Sequence, residues 1–386
     1  MKVFSSLFSL FFIIGSTQVS AQPYVQAKEV YYEVPAEEVY NGEGHFKFTG
    51  MQPEQIYDEN DVYVVPPMAI PARGSSLKAI RQRDKIRCGS NLQVKTYAYY
   101  EDGVWTGIDA DFCRVFALAI LGDNKKIEMV DVRPADVAKA LDSDRIDVML
   151  SGTSYSAAME TSREALSAGL LYYDHQILLV SKKLGETNEE LHGKKICVST
   201  DTDYYKNFDD YNMRYNMNVK YLTFASLAKA REAFLLKRCD MMTASGLMLY
   251  GILRDLPKAK AKIVKTHIAM YPIYAFVQKD NNELRLAIKW ILNALFLAEQ
   301  YGISVKNLPY FATNENPEVR NLLGDNPQLW QNLGLRPKWL RDVITVIGNY
   351  ADIYDKNIGK DSRYELERRE GRLVKDGGTI YPIPFM

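Results

Sequence analysis

KIRCGSNLQVKTYAYYEDGVWTGIDADFCRVFALAILGDNKKIEMVDVRPADVAKALDSDRIDVMLSG, residues 85–152, switches repeatedly between two kinds of patterning. IRCGS, KIEMVDV and RIDVMLSG are short apolar runs of strand length, bounded by charged or small residues. TGIDADFCRVFALAILG carries its apolar residues at the 3.6-residue period of a helix, and PADVAKALDSD gives a second helix. Strand, helix, strand, helix, strand in that order predicts an open α/β sheet with right-handed crossovers. SLKAIRQRDK, just upstream, reads as a short leading helix.

A second set of the same kind begins near Lys194. KKICVST, VKYLTF and CDMMTAS read as strands, separated by the helices YKNFDDYNMRYN and SLAKAREAFLLKR. The order repeats while the sequence does not, which predicts two lobes. Two long β-rich stretches, ALSAGLLYYDHQILLVSKKL and AKIVKTHIAMYPIYAFVQKD, lie between and after the sets. Two crossings of that length give a hinge and a cleft, the geometry of closure on a ligand. Lobe 1 is expected over 76–180 and again over 269–386, with lobe 2 over 181–268. In ELRLAIKWILNALFLAEQYG, Leu284, Ile288, Ile291, Leu292 and Leu295 share one helix face, and Gly302 stops the helix. The stretch from Asn314 reads as helical and polar, and KDSRYELERREGRLVKD as a solvated helix face with i,i+4 charge pairs. Trp330 and Trp339 are expected to pack the C-terminal helices onto lobe 1.

The N-terminus reads differently. Lys2, the apolar run Val3 to Ile14 and the small residues Val19-Ser20-Ala21 spell a secretory signal over 1–21, too short to span a bilayer comfortably. Residues 22–75 are rich in Tyr, Glu and Pro without helical period, an extended or weakly structured arm that is either a linker or a tyrosine-studded docking segment. Export makes bridges the expected state of Cys88, Cys113, Cys197 and Cys239; four cysteines allow three pairings, and spacing does not choose. With Lys+Arg 48 against Asp+Glu 48 the formal charge is zero, which excludes the broad basic surface of a nucleic-acid binder. His45, His175, His192 and His267 stand at no metal-ligand spacing, so no metal and no cofactor are expected. Asp109 and Asp111 open the TGIDADF helix, where carboxylates suit the positive end of its dipole.

These motifs, with NPEVRNLLG, VIGNYADIYDKNIG and DGGTIYPIPF near the C-terminus, resemble the periplasmic amino-acid-binding proteins of ABC importers over roughly residues 75–386, and most of all the general L-amino-acid-binding subgroup. The resemblance implies a two-lobed α/β fold of the periplasmic-binding-protein type II. It also implies one disulfide in each lobe, Cys88–Cys113 and Cys197–Cys239. It implies an arginine of lobe 1 forked onto the ligand carboxylate and an acid of lobe 2 on its ammonium, because a zwitterion leaving water needs both charges met.

Carried over by position, the resemblance names Asn91 and Tyr97 in the first loop, with Tyr99 as a lesser lid candidate. It names Ser151, Thr153 and Ser154 at the LSGTS strand end, and Thr202 in STDTD. The two charged partners are replaced. Met159 stands at the arginine position, with Arg163 one helical turn later, and Ala244-Ser245 stand at the acid position. Loss of a buried bidentate contact weakens amino-acid capture in the family's usual mode.

Three readings follow. The first is a monomeric periplasmic solute-binding protein that closes on a small amino-acid-like ligand and delivers it to an ABC permease. The second is a degenerate relative that acts as a periplasmic protein-partner or structural module. The third, an enzyme on this scaffold, is disfavoured: no Ser-His-Asp or Cys-His arrangement stands out, and His175 reads as a polar hinge residue.

Overall fold

The computed structural model describes residues 76–386, apart from 152, 153, 163, 201, 255, 258, 259 and 312. The expected signal and arm, Thr153 and Arg163 therefore lie outside the described residues. In chain order, the lobe 1 elements are α1 (Leu77–Arg83), β1 (Ile86–Ser90), the hairpin β2 (Tyr99–Glu101) and β3 (Val104–Thr106), α2 (Ile108–Leu121), β4 (Ile127–Asp131), α3 (Val137–Asp142), β5 (Val148–Met149) and α4 (Ala157–Ser162). The long β6 (Ala165–Ser181) leads to β7 (Lys195–Ser199), α5 (Tyr204–Arg214), β8 (Lys220–Phe224), α6 (Leu227–Leu235), β9 (Met241–Ser245) and α7 (Gly246–Arg254). The equally long β10 (Ala261–Gln278) returns to α8 (Asn282–Gln300), followed by α9 (Pro317–Leu322), α10 (Pro327–Asn332), α11 (Trp339–Val346) and α12 (Tyr350–Asn357).

Eight strands form one sheet in the order β4-β1-β5-β10-β6-β9-β7-β8. Parallel pairs join β1 to β4 and β5, and β7 to β8 and β9. Between these trios β6 and β10 run antiparallel from Ala165–Gln278 to Ser181–Ala261, with register shifts near Val264, Ile273 and Ala275. Each trio is the sheet of one lobe, and the β6–β10 ribbon is the double crossing between them. Cys88–Cys113 ties β1 to α2, and Cys197–Cys239 ties β7 to the residues just before β9.

α2 is apolar nearly all round because it lies between the lobe 1 sheet and helices α8, α11 and α12, and twelve of its residues, Ile108 to Ile120 with Arg114 excepted, are buried. The same covering explains α8. Its expected face is buried, and so are Asn293, Phe296 and Leu297 on other faces. Asn293 is paired by its side-chain amide to the backbone N–H and carbonyl of Ile383, each at 2.7 Å, so the C-terminal tail supplies both of its partners.

Two sequence expectations need correcting. The region after Asn314 is helical but not polar, because Val319, Leu322, Leu340, Val343 and Ile344 join the main core together with Trp339. Residues 360–376 form an irregular strap with 3₁₀ turns at Arg369–Gly371 and Val374–Asp376, not a solvated helix. Arg368 there grips Glu299 through two bonds of 2.6 and 3.1 Å and lies over the Tyr350 ring, contacts beyond i,i+4 spacing. Asp109 and Asp111 lie in the first turn of α2, as expected. Both are buried; Asp111 meets Arg114, Lys356 and Asn357, and Asp109 belongs to the cleft.

Candidate functional site

Parallel β-strands expose their carboxyl ends where α/β proteins bind ligands. In lobe 1 the ends of neighbouring β1 and β5 bring Ser90 and Ser151 side by side, with their hydroxyls 3.2 Å apart. The Ser151 hydroxyl also accepts the Asn91 N–H at 3.2 Å, while the Asn91 side chain folds back to accept from the Gln93 N–H. Ser90 donates to Asp109 Oδ2 at 2.7 Å, from the first turn of α2. Among the described residues the other oxygen of that carboxylate has no hydrogen-bond partner, although Asp109 is fully buried. Burial raises its pKa to about 6, against the lowering pull of the Ser90 and Ser151 hydroxyls.

The loop after β1 carries Tyr97 down beside this carboxylate. The Tyr97 carbonyl accepts the Asp109 N–H at 3.1 Å. Gly107, at φ +116°, leaves room for that carbonyl; a Cβ there would collide with it. Thr96 crosses the cleft and donates to the Leu247 carbonyl at 2.9 Å, a bond from lobe 1 to the start of α7.

The crossing strand β6 supplies Asp174 and Gln176, both buried. Asp174 accepts Ser245 Oγ at 2.5 Å, the His175 N–H at 2.8 Å and the Leu247 N–H at 3.4 Å. Burial raises its pKa too, against those bonds and the neighbouring His175. Gln176 donates to Thr243 Oγ1 and the Tyr204 carbonyl and accepts from the Tyr271 hydroxyl, which accepts in turn from Asn207. Desolvation by burial raises the pKa values of Tyr97, Tyr172 and Tyr204, and it pushes Tyr271 up to about 12, so all four phenols stay neutral. A small cavity of about 30 Å³ also reaches Asp174 from beneath the C-terminal strap, lined by His175, Tyr250, Lys265, Tyr354 and Arg369.

Of the residues named from sequence, Asn91 and Ser151 meet at the ends of β1 and β5, and Tyr97 lies beside Ser245 at the end of β9. Ser154 is half-buried and pairs as an isolated bridge with Ile273 of β10. Thr202, two residues before α5, has a buried hydroxyl without a hydrogen-bond partner among the described residues. Met159 packs beside Tyr155 and Tyr274 against a cluster that includes Val132, Met149 and Phe276. Sequence reasoning missed Asp174, Gln176, Tyr172 and Tyr204, and it read Asp109 for its place at the helix start without its burial. The available signal was an acid within the otherwise apolar strand YYDHQILLV, and another at the head of a helix with no polar face.

The arrangement is a buried network of hydroxyls and carboxylates at the strand ends beside the β6–β10 ribbon. A family model described as bacterial extracellular solute-binding proteins, family 3, matches residues 86–306. The glutamate/glutamine/aspartate/asparagine-binding protein BztA of Rhodobacter capsulatus is 30% identical over 318 residues, 81% of this chain and 94% of that protein. The general L-amino acid-binding periplasmic protein AapJ of Rhizobium johnstonii is 28% identical over 321 residues, covering 82% and 94%. A periplasmic binding protein from Brucella ovis, solved with glutathione bound, superposes with a TM-score of 0.73 at 30% identity, covering 80% of this chain and 99% of that one. The cleft, the doubly crossed sheet and a match that spans both lobes have one reading: the chain belongs to the bacterial extracellular solute-binding proteins, family 3.

Proposed function

We propose that this chain is the periplasmic capture component of an amino-acid-type ABC importer, closing its lobes on a small ligand that carries an amino group and passing it to the membrane permease. The observation that carries the reading is the convergence of Ser90, Ser151, Asp109 and Tyr97 from lobe 1 with Ser245, Asp174 and Tyr204 from the hinge and lobe 2, under the Thr96–Leu247 bond. In this reading residues 1–21 direct export and 22–75 form an arm. Lobe 1 spans 76–180 and 269–386, and lobe 2 spans 181–268. Asn91, Tyr97, Ser151, Thr153, Ser154, Met159, Thr202 and Ser245 are the candidate ligand contacts. The family binds solutes, and the cleft groups serve binding without catalysis; no helix among the described residues is long and apolar enough to cross a membrane.

A thermal-shift panel on the exported form tests this, with the twenty amino acids, glutathione, other small peptides and amines at millimolar concentration. A ligand at a hundred times its dissociation constant adds ~2.7 kcal/mol, a readily seen rise in Tm. A flat panel on folded protein would sink the reading in favour of a module that binds another periplasmic protein.

A further inference from the structure

The C-terminal strap is rooted in lobe 1. Arg368 holds Glu299 of α8 and lies over the Tyr350 and Tyr354 rings of α12. Lys375 donates to the Gln300 carbonyl at 2.9 Å, and Leu373 is buried in the main core. From that root the middle of the strap reaches past lobe 1. Glu370 Oε2 is 2.8 Å from His175 Nε2 on β6, and Arg369 Nη1 donates to His267 Nε2 on β10 at 2.7 Å. Tyr364 meets Tyr250 of α7 edge to face, with ring centroids 6.1 Å apart.

These three contacts fall where the chain passes from one lobe to the other. On β6, Gln176 follows His175 and already pairs with Ser245 of β9, a lobe 2 strand. On β10, Val264 pairs with Leu178 and Ala269 with Gln176, so residues 265–268 bulge opposite Ile177 alone. The bulge takes His267 out of the ladder to Arg369 and sets its ring 6.3 Å from that of His175. α7 belongs to lobe 2 through Leu249 and Ile252, which join that lobe's core. Leu366 and Arg369 of the strap, Tyr250 of α7 and Asp174 of β6 all border the cavity of about 30 Å³, so the strap lies over the buried network.

A hinge rotation that parts the lobes moves the bulge and α7 away from anything fixed to lobe 1. The strap is fixed there, so its grips on His267 and Tyr250 oppose that rotation while its root is undisturbed by it. The strap also lies beyond residues 86–306, the part that matches the family model, and is an addition to the two-lobed core. We propose that it is a clasp. It holds lobe 2 against lobe 1 in the ligand-free protein, beside the Thr96–Leu247 bond and the Arg254–Tyr99 stack, and sets how often the cleft opens. The device governs opening alone and is independent of which solute the cleft takes.

The test is a dipolar distance measurement on the ligand-free exported chain, with its disulfides intact. Spin labels go on Lys139→Cys of α3 in lobe 1 and Lys229→Cys of α6 in lobe 2, both exposed positions. With the clasp present, the distances should form one narrow population at the separation of this structure. Arg369→Ala combined with Glu370→Ala should raise a second, longer population at least ten-fold. Tyr250→Leu, which leaves the strap itself unchanged, should raise it by a smaller factor. Val374→Ala, at an exposed strap position outside the grips, should leave the distances as they are. Unchanged distances in the first two variants would overturn the clasp and leave solute capture standing. A parent already divided between short and long distances would overturn it too, as would an equal shift in Val374→Ala.

Discussion

Lobe 1 and lobe 2 share a sheet pattern but are built to different depths. In lobe 1, α2 and α8 are wrapped by α11, α12 and the tail, giving a large core from Leu77 to Phe385, with a smaller cluster around Val132, Leu141 and Phe276 beside it. Lobe 2 covers its trio of strands with α5, α6 and α7 and divides its apolar residues between two smaller clusters, one around Leu179, Met242 and Leu249, the other around Ile196, Phe208 and Met217. Lobe 1 is therefore the rigid platform, and lobe 2 the half that opens locally at lower free energy.

The comparison can be broken or sharpened by four variants. Phe116→Ala, at a fully buried position in lobe 1, should cost ~4 kcal/mol in urea unfolding. Because its core takes in the C-terminal helices, protection should fall across all of lobe 1; loss confined to α2 would mean the core is less continuous than described. Replacing Cys197 and Cys239 together by Ala opens a 42-residue separation and should cost about 3–4 kcal/mol. Hydrogen exchange should locate the loss in residues 195–254, and a uniform loss over both lobes would refute local opening of lobe 2.

Asp109→Asn should act in the opposite direction. Its folded pKa of about 6 lies above the ordinary 3.8, so the folded state holds the extra proton between those values, and stability falls as pH rises through that window. Above pH 6 the ligand-free variant should gain on the order of 2–3 kcal/mol over the parent, shrinking toward zero near pH 4. A loss at pH 7 would mean the carboxylate is paired in a way the structure does not contain. Ser226→Ala removes the hydroxyl that caps α6 at the Lys229 N–H and should cost ~1 kcal/mol, visible as a small drop in Tm. No change there would point to an α6 terminus already frayed.

The strand-helix rhythm of 85–152, its repeat after Lys194 and the two long crossings were legible because each element is strongly periodic, and periodicity depends on local sequence alone. The strap was not. Its charge run matches a helix, yet Arg368 finds Glu299 sixty-nine residues away and Glu370 finds His175 on β6. Ion pairs reaching that far in sequence overrule local preference and leave no trace in spacing. The cleft was half legible. Hydroxyls at strand ends follow from the motif positions, whereas Asp109 looked like a cap because dipole complementarity and deep burial both put an acid in a helix's first turn. Only the packing of α2 on all sides distinguishes the two. Asp174 was overlooked because a single acid in a strand reads as a surface residue until β10 and β9 flank it.

The placement of β10 between β5 and β6 has a consequence for the order in which the chain can fold. Met149 of β5 pairs with Phe276 of β10, so the first trio waits for more than a hundred further residues before its sheet has a neighbour on that side. Lobe 2, by contrast, is built from consecutive sequence between the two crossings. On a chain emerging from its N-terminal end, Phe112, Phe116 and Leu118 are made first and buried last, because α8 and the C-terminal helices that cover them are the final segments to arrive. Folding of the whole is therefore slow relative to its parts, and the earliest-made half is the one that depends longest on being held apart from other chains.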